Sequence, residues 1–332
     1  MNVKEKVLEV FEQRKGECIS GSELAEMLCV SRNAVWKAVK ALQEEGYTIS
    51  AGTNRGYVLE KENDILSVQS ITKYLLPELK SLQLEVYKTI DSTNNRIKEY
   101  AAKGKPEGII VVAEHQTSGR GRMGRSFYSP ESSGVYISFL FRPKFSAEES
   151  LYLTTAAAVA AAETIEEVSG IEASIKWVND VFCRGKKVCG ILTEASVNVE
   201  NNMLEYAVTG IGFNVREPKG GFPDEIRDIA GPIFEHTDDF GNSCSDLDAR
   251  SRMAAGMINH FWKYYEGLTE KSFMPEYKKR SFLLGKNVQT VSDTPIIGKA
   301  VDVDDEGHLI LEMPDGSRKV LSSGEVSVRP VL

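Results

Sequence analysis

The chain has 332 residues, room for two or three domains. Its formal net charge of −8, with 42% hydrophobic and 27% charged residues, suits a globular protein and argues against indiscriminate coating of nucleic acid. No apolar run reaches membrane-spanning length and no signal pattern opens the chain, so no membrane contact and a cytoplasmic site are expected; five scattered cysteines without a C-x-x-C pair, and four histidines, speak against a disulfide framework or structural zinc.

Residues 1–62 predict a winged helix-turn-helix. Val3, Val7, Leu8, Val10 and Phe11 have helical spacing. Ser20-Gly21-Ser22-Glu23 fits a capping box opening a short helix, and Ser31 caps a second one from Arg32 to Leu42. Gly46–Ile49 and Gly56–Leu59 flank Thr53-Asn54-Arg55 as a hairpin, the wing. From Ser31 to Tyr57 four basic residues (Arg32, Lys37, Lys40, Arg55) face two acids (Glu44, Glu45), and both acids sit at the far end of the helix. Ser31, Arg32, Asn33, Lys37 and Arg55 are therefore the candidate DNA-binding residues, with a protein-interaction module as the alternative. Val35 and Trp36 read as core.

Residues 63–80 form a linker, and 81–283 alternate strands and helices. Leu84–Tyr87 is a strand, and Asp91-Ser92-Thr93-Asn94 starts a helix. An alanine-rich helix spans about 149–168, with Ala156–Ala162 as core. Strands are predicted at 174–178, 188–195 and 203–213, and helices around 247–267 and 272–280. Several connections are too short for parallel crossovers, so the sheet should be antiparallel or mixed. Residues 284–332 show short β runs separated by turns such as Pro314-Asp315-Gly316, the pattern of a small SH3-like barrel.

The densest positive charge lies at Gly119-Arg120-Gly121-Arg122-Met123-Gly124-Arg125. Glycine lets backbone N–H groups turn inward, and arginine presents a fork that matches phosphate or carboxylate. The run spells G-x-G-x-x-G and nearly a P-loop, but no helix opens on its last glycine; Phe127-Tyr128-Ser129-Pro130 and a strand-like run follow. It reads as a loop over an anionic ligand rather than a dinucleotide or P-loop turn; taken alone, a solvated basic turn is the other reading.

Four further segments carry polar groups that a core does not need: Asp91–Asn94, Gln116, Lys176-Trp177-Val178-Asn179-Asp180, and Lys186–Leu192. In this order, with Gly210-Ile211-Gly212-Phe213-Asn214 after them, they resemble the biotin–protein ligases. The preceding winged helix narrows the resemblance to the bifunctional ligase and biotin-operon repressor form.

That resemblance implies an α/β (α+β) multidomain fold: a winged helix, a class II synthetase-like mixed-sheet catalytic domain and an SH3-like barrel. It implies formation of biotinyl-5′-AMP from biotin and ATP, with Mg²⁺ expected but no metal ligand named. Biotin then passes to a lysine of biotin carboxyl carrier protein. Operator DNA and a ligand-induced homodimer are the other implied partners. Ser92, Thr93, Asn94 and Gln116 match the biotin-binding positions. Arg120, Gly121 and Arg122 match the ligand-contacting loop, and Lys187 the lysine at the reacting carboxylate and phosphate. Asp180 matches an acid near the acyl centre; a structural turn aspartate is the other reading. With Arg122, Lys187 and Asp180 are the catalytic candidates. Val178 and Phe127 depart from the proline and tryptophan common in the family. A biotin-sensing regulator without ligase activity and a lipoate ligase remain the alternatives.

Overall fold

Asn2 and Glu5 form a capping box that starts α1 (Val3–Gln13). Residues 1–52, 56–198, 200–235, 247–291, 294–322 and 328–330 are described by a computed structural model of the chain. Ser20 caps α2 (Gly21–Met27) by accepting the Glu23 N–H at 3.0 Å. The reciprocal half of the expected capping box is not made. Glu23 instead lies 2.6 Å from Arg14 Nη1, a charged donor that binds a carboxylate better than a neutral backbone N–H does. Ser31 caps α3 (Arg32–Glu44), accepting the Ala34 N–H at 3.2 Å.

These helices and the antiparallel hairpin β1 (Ile49–Gly52) and β2 (Gly56–Leu59) enclose a core of their own, including Phe11, Leu24, Val35 and Leu42. Arg55 lies outside the described residues. Trp36 corrects an expectation: it is 51% exposed, whereas Val35 is fully buried. The buried stripe of α3 is Val35, Ala38, Val39 and Leu42, and position 36 is rotated from Val35 by about 100°.

After α4 (Val68–Thr72) the chain builds a seven-stranded mixed sheet. Its elements are β3 (Gln83–Ile90), α5 (Thr93–Ala102), β4 (Ile109–Gln116), β5 (Gly134–Phe141), α6 (Leu151–Ser169), β6 (Ser174–Lys176), β7 (Asp180–Cys183), β8 (Lys186–Asn198), β9 (Met203–Asn214), α7 (Ala249–Glu266) and α8 (Met274–Arg280). The spatial order is β3-β4-β5-β9-β8-β7-β6. Among the described strands of this sheet only β3 and β4 pair in parallel, joined through α5; the other neighbours pair antiparallel. The alanines of α6 are fully buried, which lets this helix lie close to its neighbours. The four-residue strand β7 was not expected, because Asn179 and Asp180 read as turn formers.

β10 (Asn287–Thr290), β11 (Ile297–Val303), β12 (Leu309–Glu312), β13 (Arg318–Leu321) and β14 (Val328–Pro330) form a five-stranded antiparallel sheet. Val288, Ala300 and Leu309 from it join the central core, and Trp177 Nε1 donates to Gly307 O at 2.9 Å. Among the described residues no helix is long and apolar enough to cross a membrane.

Two ionic clusters tie α1 and the segment after the winged helix to the catalytic unit. In one, Lys73 Nζ lies 2.9 Å from Glu12 Oε2 and 2.6 Å from Asp248 Oδ2, while Lys15 also pairs with Asp248 and the Tyr74 hydroxyl donates to it at 2.8 Å. In the other, Asp64 pairs with Arg216 and lies 2.9 Å from Arg250 Nε; Arg250 is also 3.7 Å from Glu114. Glu12, Arg250 and Glu114 are all buried. Burial raises the Glu12 carboxyl, whereas at Asp248 the lysine partners outweigh burial and lower it.

Candidate active site

The floor of the site is bare backbone. On adjacent strands Gly190 faces Gly212 and Leu192 faces Gly210; across β5, Tyr136 and Ser138 face Gly212 and Gly210. A Cβ on Gly210 would strike the Asn94 amide, and one on Gly212 would strike the Phe127 ring. A Cβ on Gly190 would stand 2.9 Å from Phe127 Cε2. Side chains on these strands would fill the space between sheet and loop.

One wall is the start of α5. Ser92 holds the N-cap position yet makes no side-chain cap bond, so its hydroxyl is not spent on the helix. The Thr93 N–H and hydroxyl both donate to Gln116 Oε1, at 2.9 and 3.0 Å. Gln116 Nε2 donates onward to Ser129 Oγ at 3.0 Å. The buried Ser138 hydroxyl lies 2.7 Å from Thr93 Oγ1 and 2.6 Å from Asn94 Oδ1, and Asn94 Nδ2 donates to Glu194 at 2.8 Å. Burial raises the Glu194 carboxyl, but the Lys98 and Asn94 hydrogen bonds bring it below its ordinary value. The network fixes an array of donors and acceptors suited to a neutral polar group.

The Gly/Arg loop closes the opposite side. The Phe127 N–H donates to Gly119 O at 2.9 Å and the Gly121 N–H to Arg125 O at 2.7 Å, which folds the loop back on itself. Gly124 has φ +73°, the left-handed region that glycine tolerates. A three-residue 3-10 turn, Arg122–Gly124, is all the helix that follows, so neither dinucleotide nor P-loop geometry is present. Arg122 Nη1 donates to Asn179 Oδ1 at 3.1 Å, and Asn179 Nδ2 to Ile191 O at 2.7 Å. Burial lowers the Arg122 guanidinium pKa, and the nearby Asp180 charge opposes that shift.

Asp180 begins β7 and Lys187 lies near the start of β8; the two are 2.6 Å apart, each about three-quarters shielded from solvent. Lys176 is paired with Asp180 in register, and burial lowers its pKa. The Trp177–Val178 peptide is cis, and the buried Tyr277 hydroxyl donates to Val178 O at 3.0 Å.

Three regions far apart in sequence thus border one pocket: Ser92–Asn94, Gln116 with Arg120–Arg122, and the Asp180/Lys187 pair. Gly190, Gly210, Gly212, Phe127 and Asn179 also line it, and none of them stood among the candidates. The Gly210-x-Gly212 spacing within a strand was a legible signal, since alternate residues share a face; Asn179 read as a turn former. Arg32, Asn33 and Lys37 lie exposed on α3, beside the exposed cap Ser31. Among the described residues no group of three or more His, Cys, Asp or Glu could hold a metal ion. A cationic loop, a hydrogen-bonding wall and a lysine–aspartate pair around a glycine floor suit activation of a carboxylate at a phosphate.

A profile described as the Biotin/lipoate A/B protein ligase family matches residues 86–214. An HTH domain profile matches 3–58, and a Biotin protein ligase C terminal domain profile matches 283–329. The bifunctional ligase/repressor BirA of Bacillus subtilis is 37% identical over 96% of each chain. The protein of the same description from Escherichia coli is 26% identical, over 95% of this chain and 94% of that one. The solved biotin protein ligase from Aquifex aeolicus in complex with biotin and ATP superposes with a TM-score of 0.60 at 31% identity, covering 75% of this chain and 99% of that chain.

Proposed function

The chain belongs to the family of bifunctional biotin ligase/repressors, and from that membership we infer an ATP-dependent biotin–protein ligase that also represses transcription. The catalytic half has two steps. A biotin carboxylate oxygen attacks the α-phosphorus of ATP; the new O–P bond gives biotinyl-5′-AMP, and pyrophosphate leaves. The ε-amine of a carrier-protein lysine then attacks the acyl carbon; an amide forms, AMP leaves with the bonding electrons, and the amine loses a proton.

The observation that carries this reading is the convergence of the hydrogen-bonding wall, the arginine loop and the Asp180–Lys187 pair on one glycine floor. Ser92, Thr93, Asn94 and Gln116 bind the polar ring system of biotin. Lys187 offsets charge on the reacting carboxylate and phosphate. Arg120 and Arg122, with Gly121 between them, cover the phosphate and keep water from the mixed anhydride. Asp180 orients the acceptor amine and receives its proton. Mg²⁺, when bound, would offset triphosphate charge; among the described residues Asp180 is the only carboxylate on the pocket wall.

The repressor half uses residues 1–62, joined through 63–80 to a catalytic unit of 81–283 and a C-terminal barrel of 284–332. Biotinyl-AMP promotes a homodimer that presents two α3 helices to operator DNA, with Ser31, Arg32, Asn33, Lys37 and Arg55 at the contact. The protein acts in the cytoplasm.

Incubation with biotin, Mg-ATP and a biotin carboxyl carrier domain should add one biotinyl mass to the carrier. No transfer of biotin, with lipoate transferred instead, overturns the ligase reading. Operator binding should strengthen when biotin and ATP are both present; an indifferent response removes the repressor reading.

A further inference from the structure

The outward face of α3 carries an aromatic that the fold does not use. Asn33, Trp36, Lys37 and Lys40 recur at helical spacing on its exposed side, opposite the buried Val35, Ala38, Val39 and Leu42. Trp36 is 51% exposed, although burying an indole is worth more than burying almost any other side chain. Among the described residues it has no ring partner and no hydrogen bond.

Charge says what kind of partner fits. Between Ser31 and Gln43 there are three cations and no acid, in a chain of net charge −8. Arg32 is steadied by its hydrogen bond to Ser22 on α2, and Lys37 and Lys40 are exposed one and four residues after Trp36. The first acids, Glu44 and Glu45, stand at the far end, and Glu45 pairs with Lys4. A protein-binding face built around tryptophan would not need a cationic border of one sign. A polyanion does.

We propose that Trp36 is a base-reading residue: its indole packs on the 5-methyl group of a thymine in the major groove while Arg32, Lys37 and Lys40 hold the flanking phosphates. The proposal rests on the operator-binding reading above and adds the base that is read. Apolar contact with the thymine methyl is a readout that phosphate contacts cannot supply. The indole N–H, a donor only, is left for a purine N7 or a thymine O4 beside it.

The test begins with a random-sequence duplex pool enriched on the full chain with biotin, ATP and Mg²⁺. Each thymine of the selected duplex is then replaced in turn by deoxyuridine, which removes only the methyl group. One thymine per half-site should show a loss of roughly three- to tenfold, the size expected for one buried methyl. That loss should vanish with Trp36→Ala, whose binding to a scrambled duplex should change less than twofold. Uniform tolerance of deoxyuridine overturns the proposal, as do equal penalties in both proteins. The wild-type scan needs no variant, and biotin transfer by Trp36→Ala checks that it folds. Acrylamide protection of Trp36 on self-association without DNA would make the face a protein interface and overturn the proposal. A pool with no enriched duplex overturns the operator reading itself, whereas an enriched duplex bound equally by Trp36→Ala overturns only this inference.

Discussion

Gly121 has room for a side chain, and Gly119 does not. A Cβ on Gly119 would press on Phe127 O and Ser129 Oγ, but on Gly121 the nearest atom would be Arg125 O at 3.4 Å, and its φ of −117° suits any residue. The fold therefore does not demand glycine at 121, and the close approach of ligand proposed for this loop would. Gly121→Ala should melt like the wild type yet release biotinyl-AMP about tenfold faster, as should Arg122→Ala, in a filter assay of retained adenylate. Gly119→Ala should lower the melting temperature itself. On the proposed mechanism the Asp180–Lys187 pair divides the two chemical steps. Lys187→Ala should slow pyrophosphate release about a hundredfold or more, having removed a charge at the phosphate. Asp180→Asn should slow carrier biotinylation more than pyrophosphate release in single-turnover experiments. A variant that slows both steps equally would return Asp180 to a structural role.

Two serines at helix starts look alike in sequence and differ in the fold. Ser31 caps α3 through the Ala34 N–H, while Ser92 makes no side-chain cap on α5. Ser31→Ala should cost about 1 kcal/mol in urea unfolding, and Ser92→Ala should cost less while weakening biotin binding in calorimetry. The contrast also marks what was readable. Helix periodicity, cap residues and β runs placed most elements, and the ordered polar motifs pointed to the residues that meet in the pocket. Gly190, Gly210 and Gly212 stood inside the motifs, but their role as a floor was not legible because it depends on what lies across the sheet from each glycine. Trp36 was misplaced because hydrophobicity was weighed above its position relative to the buried stripe. The half-made cap at Ser20 was hidden for a related reason: the competing partner, Arg14, stands at the end of a different helix.

The largest features join units that sequence can only separate. Lys73 and Asp248 are 175 residues apart in sequence yet share a buried cluster with Glu12 and Lys15. Removing Lys73 leaves two carboxylates with less compensation, so Lys73→Ala should cost about 3 kcal/mol in unfolding, little relieved by salt. Asp248 titrates below its ordinary value in the folded chain, so its stabilisation is present above the usual aspartate range and is lost as pH falls through the lowered value. The stability gap between wild type and Asp248→Asn should therefore narrow below about pH 4 in urea titrations. Glu12, whose carboxyl is raised, works the other way and gains from protonation as pH falls. These clusters also have a consequence outside the protein. With α1 and the linker both tied to the catalytic unit, a recognition helix has little freedom to swivel, and in the proposed dimer a pair of them would form a fixed gauge on the duplex. One base pair inserted between half-sites turns one of them by roughly 35° about the DNA axis. The wild type should lose most of its affinity for such a spaced site, and Lys73→Ala, with its gauge loosened, should lose less.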